Sequence, residues 1–373
     1  MSNKQKLFVI LSPGFAASEE DSSCLPMLQA FVRALSRDSA DVGVIVLSFH
    51  YPFVKMTYDW FGVSVTSFNG MNKGGIQGIL LRKSVERALE RIHQDYEIVG
   101  LLSFWLGECA MVGKRFSEKK GLRHYCWILG QDARIGNKYV KSLLIKGKEL
   151  IALSDCLQEE FERNYGIRPE KVISPGIEIR SNCNGQKDID LLAVGSLIPL
   201  KRFELFLEAV TRIKKELPAI KAVLVGEGPE YDRLKNIAND FGLSNTVSFT
   251  GAVGHDEVLG MMARTKVLLH PSEYEGYSGV CQEALSVGAH VVSFCRAMNE
   301  DIRQWHIVQT KKEMIEKVVA ILKDGSTKSQ PFEFAPMTST AQQIMDLYRS
   351  EETLRRNTEH LEIDSCDLIP NLV

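Results

Sequence analysis

The chain has 373 residues, 45% hydrophobic and 25% charged, ordinary composition for a soluble globular protein and long enough for two full cores. A formal net charge of −2 gives no global attraction to nucleic acid. The eight cysteines are scattered without a Cys-x-x-Cys pair, which suits a reducing cytoplasm rather than disulfides or zinc, and no apolar run approaches the roughly 18 residues of a membrane span.

Leu7-Phe8-Val9-Ile10-Leu11 is too short to span a bilayer and reads as a buried first strand rather than a signal peptide. Ser12-Pro13-Gly14 is expected to break it. Residues 26–35 set Met27, Leu28, Phe31, Val32 and Leu35 on one helical stripe, and 42–49 is a second strand. Strand, glycine-containing loop and helix open a doubly wound α/β unit, whose ligand cleft lies beyond the carboxyl ends of its strands. Gly14 stands in that loop, which by itself reads equally as a plain surface turn. Residues 51–75 are rich in aromatics and glycine but fit no clean period, so they read as an irregular loop, ligand-bordering or core-packed. Helices are expected over 80–92 and from Gly107 to Phe116, strands over 98–104, 127–129 and 150–153, and a further helix carrying Leu157, Phe161 and Tyr165.

The polar stretch 180–188 reads as an interdomain linker, giving domains 1–180 and 189–335, a helix within 336–355 and a tail 356–373. The second domain repeats the strand–helix alternation. Its strands 189–194, 221–225 and 247–250 end at Gly195-Ser196, at Gly226-Glu227-Gly228-Pro229 and at Gly251. A strand over 267–269 then meets Pro271, and the stretch to Gly288 contains a short helix with Ser278 as its N-cap. The free N–H groups of such a helix start, here around Tyr277, Ser278 and Gly279, make an anion site. Glu275 precedes the helix and Glu283 lies inside it, roughly 8 Å from the start along the axis. Carboxylates so close to a phosphate are not its ligands, but they accept hydrogen bonds from hydroxyls, and a nucleotide sugar has hydroxyls at both ends of its diphosphate. Two solvated glutamates on a surface loop are the alternative. Nothing has metal-ligand spacing, so no obligatory metal or cofactor is expected.

Pro271-Ser272, Glu275-Gly276 and Glu283-Ala284 resemble the signature of retaining family-4 glycosyltransferases, Pro-Ser-x-x-Glu-Gly-Phe-Gly-x-x-x-x-Glu-Ala, with Tyr277 and Ser278 replacing Phe-Gly. Gly226-x-Gly228-Pro229 is similar to another family turn. Gly195 to Arg202 resembles the family's Gly-Arg-Leu-x-x-x-Lys-Gly, with Lys201 in register and Ser196 where its Arg stands. The resemblance implies an α/β protein of GT-B type, two Rossmann-like doubly wound domains facing across a cleft. The second would bind a nucleotide-diphosphate sugar, the first a glycan or glycolipid acceptor. Lys201 would neutralise the diphosphate, Glu275 hold the donor sugar and Glu283 the ribose. Gly14, Gly195, Ser196, Arg202, Gly226, Gly251, Tyr277, Ser278 and Gly279 would border the donor.

Losing the Arg should cost a few kcal/mol of transition-state stabilisation unless Arg202 replaces it. Relatives commonly carry His near position 130; here Gln131 or Asp132 would face the cleft, a structural turn being the alternative. The C-terminal helix would cross back onto the first domain. Some members dock on anionic membrane through a basic first domain, and the bases from Lys114 to Lys148 could do so peripherally at the cytoplasmic face, a solvated surface being the simpler reading. Two other readings stand beside an active transferase: a non-catalytic relative that binds nucleotide sugar or a partner, and a GT-B epimerase or phosphorylase.

Overall fold

Short apolar runs alternate with amphipathic helices along the chain, and the computed structural model assembles them into two sheets. It describes residues 4–38, 41–177, 186–296, 298, 301–324 and 330–349. The expected linker core and the tail 356–373 lie outside the described residues.

The first half contains β1 (Lys6–Gly14), α1 (Pro26–Asp38), β2 (Val42–Tyr51), β3 (Met56–Trp60), β4 (Val63–Ser67), α2 (Gly75–Asp95), β5 (Glu97–Phe104), α3 (Glu108–Lys120), β6 (His124–Ile128), α4 (Lys138–Ser142), β7 (Leu150–Ala152), α5 (Asp155–Tyr165) and β8 (Lys171–Val172). Its eight strands lie in the order β3-β4-β2-β1-β5-β6-β7-β8. All neighbours are parallel except β3, which runs antiparallel to β4.

The second half contains β9 (Ile189–Val194), α6 (Phe203–Glu216), β10 (Ala222–Val225), α7 (Tyr231–Asp240), β11 (Val247–Gly251), α8 (His255–Ala263), β12 (Thr265–His270), α9 (Gly279–Ser286), β13 (His290–Ser293), β14 (Trp305–Ile307), α10 (Lys311–Lys323) and finally α11 (Met337–Asp346). The parallel order β11-β10-β9-β12-β13-β14 is the 3-2-1-4-5-6 arrangement of dinucleotide-binding sheets. The chain reverses direction across the sheet between β9 and β12, and in the first sheet between β1 and β5. Ligand crevices of doubly wound sheets lie at such switch points.

β1 is buried on both faces, as a near-continuous apolar run requires. Phe8 and Ile10 share a core cluster with Phe31 of α1 and Trp127, while Val9 and Leu11 join Leu81, Val85 and Leu89 of α2. Ile344 and Met345 of α11 are buried in that first cluster although they follow the second domain in sequence. Tyr348 completes the contact. Its ring stands edge-on to Phe8 at 4.8 Å and its hydroxyl donates to the Leu101 carbonyl at 2.6 Å. Gly100 makes room for it, since a Cβ there would lie 2.0 Å from the ring.

Two local expectations are corrected and one strand is added. Residues 56–67 form a hairpin, not an irregular loop. Phe61 and Gly62 both take positive φ, 48° and 80°, as a two-residue hairpin turn of this hand requires, and a phenylalanine in the first position hid the signal. Ser12-Pro13-Gly14 continues β1, so Gly14 is a strand residue in register with Tyr51. Trp305–Ile307 adds a short sixth strand at the sheet edge. Among the described residues no helix is long and apolar enough to cross a membrane.

Candidate functional site

The carboxyl ends of β9, β10 and β11 are drawn together by glycines. Gly226 has φ 139°, and a Cβ on it would lie 1.9 Å from the Gly195 carbonyl. Its N–H donates to the Gly251 carbonyl at 2.9 Å. From Gly195 the chain passes exposed Ser196 and a 3-10 turn over Pro199–Lys201, then enters α6 through Arg202 in the left-handed region at φ 51°. The Glu273 N–H donates to the Leu200 carbonyl at 3.0 Å, fixing the loop after β12 against this turn.

That contact brings Lys201 onto Glu275. The lysine ammonium and the buried imidazole of His270 both reach Glu275 Oε1, His270 Nε2 at 2.8 Å. Burial pushes the Glu275 carboxyl up, but His270 and Lys201 outweigh it and hold the group at about 2, so it is ionised. Glu275 also borders a cavity of about 280 Å³ between the domains, lined by Cys156, Glu160 and Arg163 of α5 and by Tyr274 and Arg296.

The start of α9 lies beyond. Ser278 occupies the N-cap position, yet its hydroxyl donates to Cys281 Sγ at 3.0 Å and caps no backbone N–H. Space in front of Gly279 is open, with nothing within 4 Å of where a Cβ would stand. Tyr277 turns the other way and packs into the core of the first domain. Gly276 touches that domain directly, since a Cβ on it would lie 2.2 Å from the Leu129 carbonyl. Ser154 donates to the Gly276 carbonyl at 3.0 Å, and the Tyr274 hydroxyl lies 2.9 Å from the Gly130 carbonyl.

Glu283, on α9, accepts from or donates to His255 Nε2 of α8 at 2.8 Å, according to their protonation. It borders a second interdomain cavity, about 60 Å³, with Met27 and Ala30 of α1 and Ile177. A space of that size holds a water or two and no nucleoside.

Other expected residues lie elsewhere. Asp132 does not face the cleft. It is buried and accepts backbone N–H bonds from Leu106 at 2.8 Å, Gly130 at 2.9 Å and Leu129 at 3.1 Å, which makes it the lock of a turn. Burial raises its carboxyl to about 6 against those bonds. Gln131 is exposed. The Arg202 guanidinium lies over the Phe294 ring, 5.7 Å from its centroid. Gly14 is buried beside Tyr51 and Cys24. The basic stretch 114–148 is partly neutralised: Lys114 pairs with Glu118 and Glu149, and Lys119 and Lys120 both pair with Glu90. Among the described residues no group of three or more His, Cys, Asp or Glu side chains could hold a metal ion.

The sequence reading missed His270, His255, Arg163 and Arg296. His270 was the most accessible of these, sitting at the end of an apolar strand immediately before the loop. The arginines stand 133 residues apart in sequence and meet only through the domain interface.

Residues 177–333 match the family described as glycosyl transferases group 1. The phosphatidylinositol N-acetylglucosaminyltransferase gpi3 subunit of Schizosaccharomyces pombe is 26% identical over 54% of this chain and 47% of its own length. A glycogen synthase of Mycobacterium tuberculosis is 25% identical over 46% of this chain and 43% of its own. The chain spans about half the length of the curated relatives it matches. Among solved structures, sucrose-phosphate synthase from Thermosynechococcus elongatus superposes with TM-score 0.67 at 14% identity, covering 97% of this chain and all of that one. Anabaena Alr3699/HepE in complex with UDP and glucose gives 0.64 at 18% identity over 96% of this chain and all of its own. These likenesses, with the two parallel sheets, establish the two-domain Rossmann-like GT-B fold.

Proposed function

From the match of residues 177–333 to glycosyl transferases group 1, we propose a retaining glycosyltransferase that moves a sugar from a nucleotide-diphosphate sugar to a glycan or glycolipid acceptor. The observation that carries this reading is ionised Glu275, held by Lys201 and His270 at the edge of an interdomain cavity and preceding the side-chain-uncapped start of α9.

In this reading the diphosphate rests on the N–H groups at the start of α9, where the helix dipole favours negative charge. Lys201 exchanges Glu275 for phosphate oxygen and stabilises the charge that grows on the leaving oxygen. Glu275, released from the lysine but still held by His270, accepts hydrogen bonds from sugar hydroxyls. Glu283 exchanges His255 for the ribose hydroxyls. The anomeric bond to the phosphate oxygen breaks, the bond to the acceptor oxygen forms on the same face, and the phosphate takes the acceptor proton. No protein base is required. The cavity of about 60 Å³ at Glu283 implies that α1 and α8 separate to admit the nucleoside.

Solved neighbours hold UDP and UDP-glucose, which supports a uridine donor. The relatives' names, one acting on phosphatidylinositol and one a glycogen synthase, support a lipid-linked or a glycan acceptor. Calorimetric titration of UDP-sugars, paired with an assay for released UDP, tests the proposal; a transferase binds and releases. A non-catalytic binder is the second reading, favoured by exposed Ser196 and by the Arg202 guanidinium lying over Phe294. It predicts binding without release.

A further inference from the structure

Gln282, on α9, is 1% exposed, yet its amide Nε2 meets no hydrogen-bond partner among the described residues. It lines the cavity of about 60 Å³ beside Glu283, whose other walls are largely apolar, with Met27 and Ala30 of α1 and Leu259 of α8. Burial raises the pKa of the Tyr277 hydroxyl, and the Gln282 and Ser174 side chains beside it pull the other way. The amide is therefore close to that hydroxyl but does not reach hydrogen-bond geometry with it. A buried amide left unpaired is less stable than an apolar side chain of the same size in the same place. Packing alone would favour methionine or leucine at 282.

The place of the amide on the helix indicates what it lacks. Gly279, Gln282, Glu283 and Ser286 form the side of α9 that lines the cavity. Gln282 and Glu283 stand three and four residues after Gly279, so both share its face. Side chains on a helix lean toward its N-terminus, which carries both over the first turn. Tyr277, beside the amide, precedes α9 and agrees with that direction. In front of Gly279 nothing stands within 4 Å of where a Cβ would be, and Ser278 caps no backbone N–H. Two chemically opposite groups thus flank the open helix start. Glu283 as a carboxylate accepts from hydroxyls, whereas the Gln282 amide nitrogen only donates and calls for an acceptor. Phosphate is the acceptor suited to such a helix start, and a hydrogen bond to it is charge-assisted.

We propose that Gln282 is a ligand-binding residue whose side-chain amide N–H bonds to the diphosphate of the nucleotide sugar, alongside the backbone N–H groups of α9. The proposal rests on the nucleotide-sugar reading above. It gives the diphosphate a neutral side-chain partner in a site where Ser196, in the place of the expected arginine, supplies no charge. A phosphate oxygen on the amide also relieves an unpaired buried group, so binding removes a penalty that the folded protein otherwise carries.

The test is calorimetric titration of UDP and of uridine, which has the ribose and lacks the phosphates, into the full chain and into its Gln282→Met and Glu283→Ala variants. Gln282→Met keeps the size of the side chain and removes the amide. It is expected to bind UDP about tenfold more weakly and uridine as before. Its melting temperature without nucleotide is expected to rise, because a buried unpaired amide is gone. Glu283→Ala is expected to weaken both ligands. A Gln282→Met protein that binds UDP as the wild type does overturns the proposal, and if Glu283→Ala is still weakened the nucleotide-sugar reading stands. A Gln282→Met protein that loses UDP and uridine alike, or that melts lower with unchanged UDP affinity, assigns Gln282 to packing beside Tyr277 and also overturns the proposal. A wild type that binds neither ligand removes the nucleotide-sugar reading and this proposal together.

Discussion

Glu275 and Glu283 differ in what restrains them, and this gives them different tests. Glu283 contacts a histidine across the helix pair α8–α9. Replacing it with alanine removes the proposed charged acceptor for two ribose hydroxyls, worth about 1.5–3 kcal/mol for a hydrogen bond to a charged group. UDP affinity should fall tenfold or more by calorimetry; unchanged affinity would refute the ribose role. Glu275 is held at about 2, below the ordinary value of 4.5, by His270 and Lys201 acting against burial. A depressed folded-state value means stabilisation present above about 4.5 and lost as pH falls toward about 2. Denaturant midpoints measured across that window should therefore decline more steeply for the wild type than for Glu275→Gln. Equal slopes would mean that the ion pair contributes nothing to folding. Lys201, Glu275 and Glu283 were legible in the sequence because each sits at a fixed offset within a motif. Their partners His270 and His255 were not, since neither belongs to a spacing that carries meaning by itself. Gln131 or Asp132 was expected at the cleft in place of the relatives' His, with a structural turn as the alternative; three backbone donors to Asp132 make it the turn.

At the scale of elements, the strand–helix alternation was readable wherever apolar runs were continuous, as at 7–11 and 267–269. It failed where a strand was half-buried or short. The hairpin over 56–67 alternates buried Val63 and Val65 with exposed or half-exposed neighbours, and β14 is three residues long. The glycines at the ends of β9 and β10, expected to border the donor, also approach each other closely as a constraint of the fold itself. Gly226→Ala would place a methyl 1.9 Å from the Gly195 carbonyl at a φ of 139°, which side chains rarely adopt. A loss of about 3 kcal/mol or more, or failure to fold, is expected in urea unfolding. An alanine variant of unchanged stability would show that the two strand ends are free to separate.

Across the whole molecule, the alternation of strands and helices in the second domain was accessible from the sequence, but its 3-2-1-4-5-6 order was not, since other doubly wound orders share that alternation. Nor was the interface. Gly276 against Leu129, and Tyr274 against Gly130, join loops about 145 residues apart, and neither loop shows its partner in its own composition. The narrow space at Glu283 makes a further whole-molecule prediction: small-angle scattering should detect a change in interdomain arrangement when a nucleotide sugar binds, because α1 and α8 must part. A scattering curve unchanged by saturating ligand would argue against entry at this crevice. The most direct measurement is a crystal structure of the protein soaked with a UDP-sugar. The account predicts the diphosphate within about 3 Å of the backbone N–H groups at the start of α9 and of Lys201, with the sugar on Glu275 and the ribose on Glu283. A nucleotide bound away from that helix start, or one that leaves Glu275 and Glu283 paired only with lysine and histidine, would contradict it.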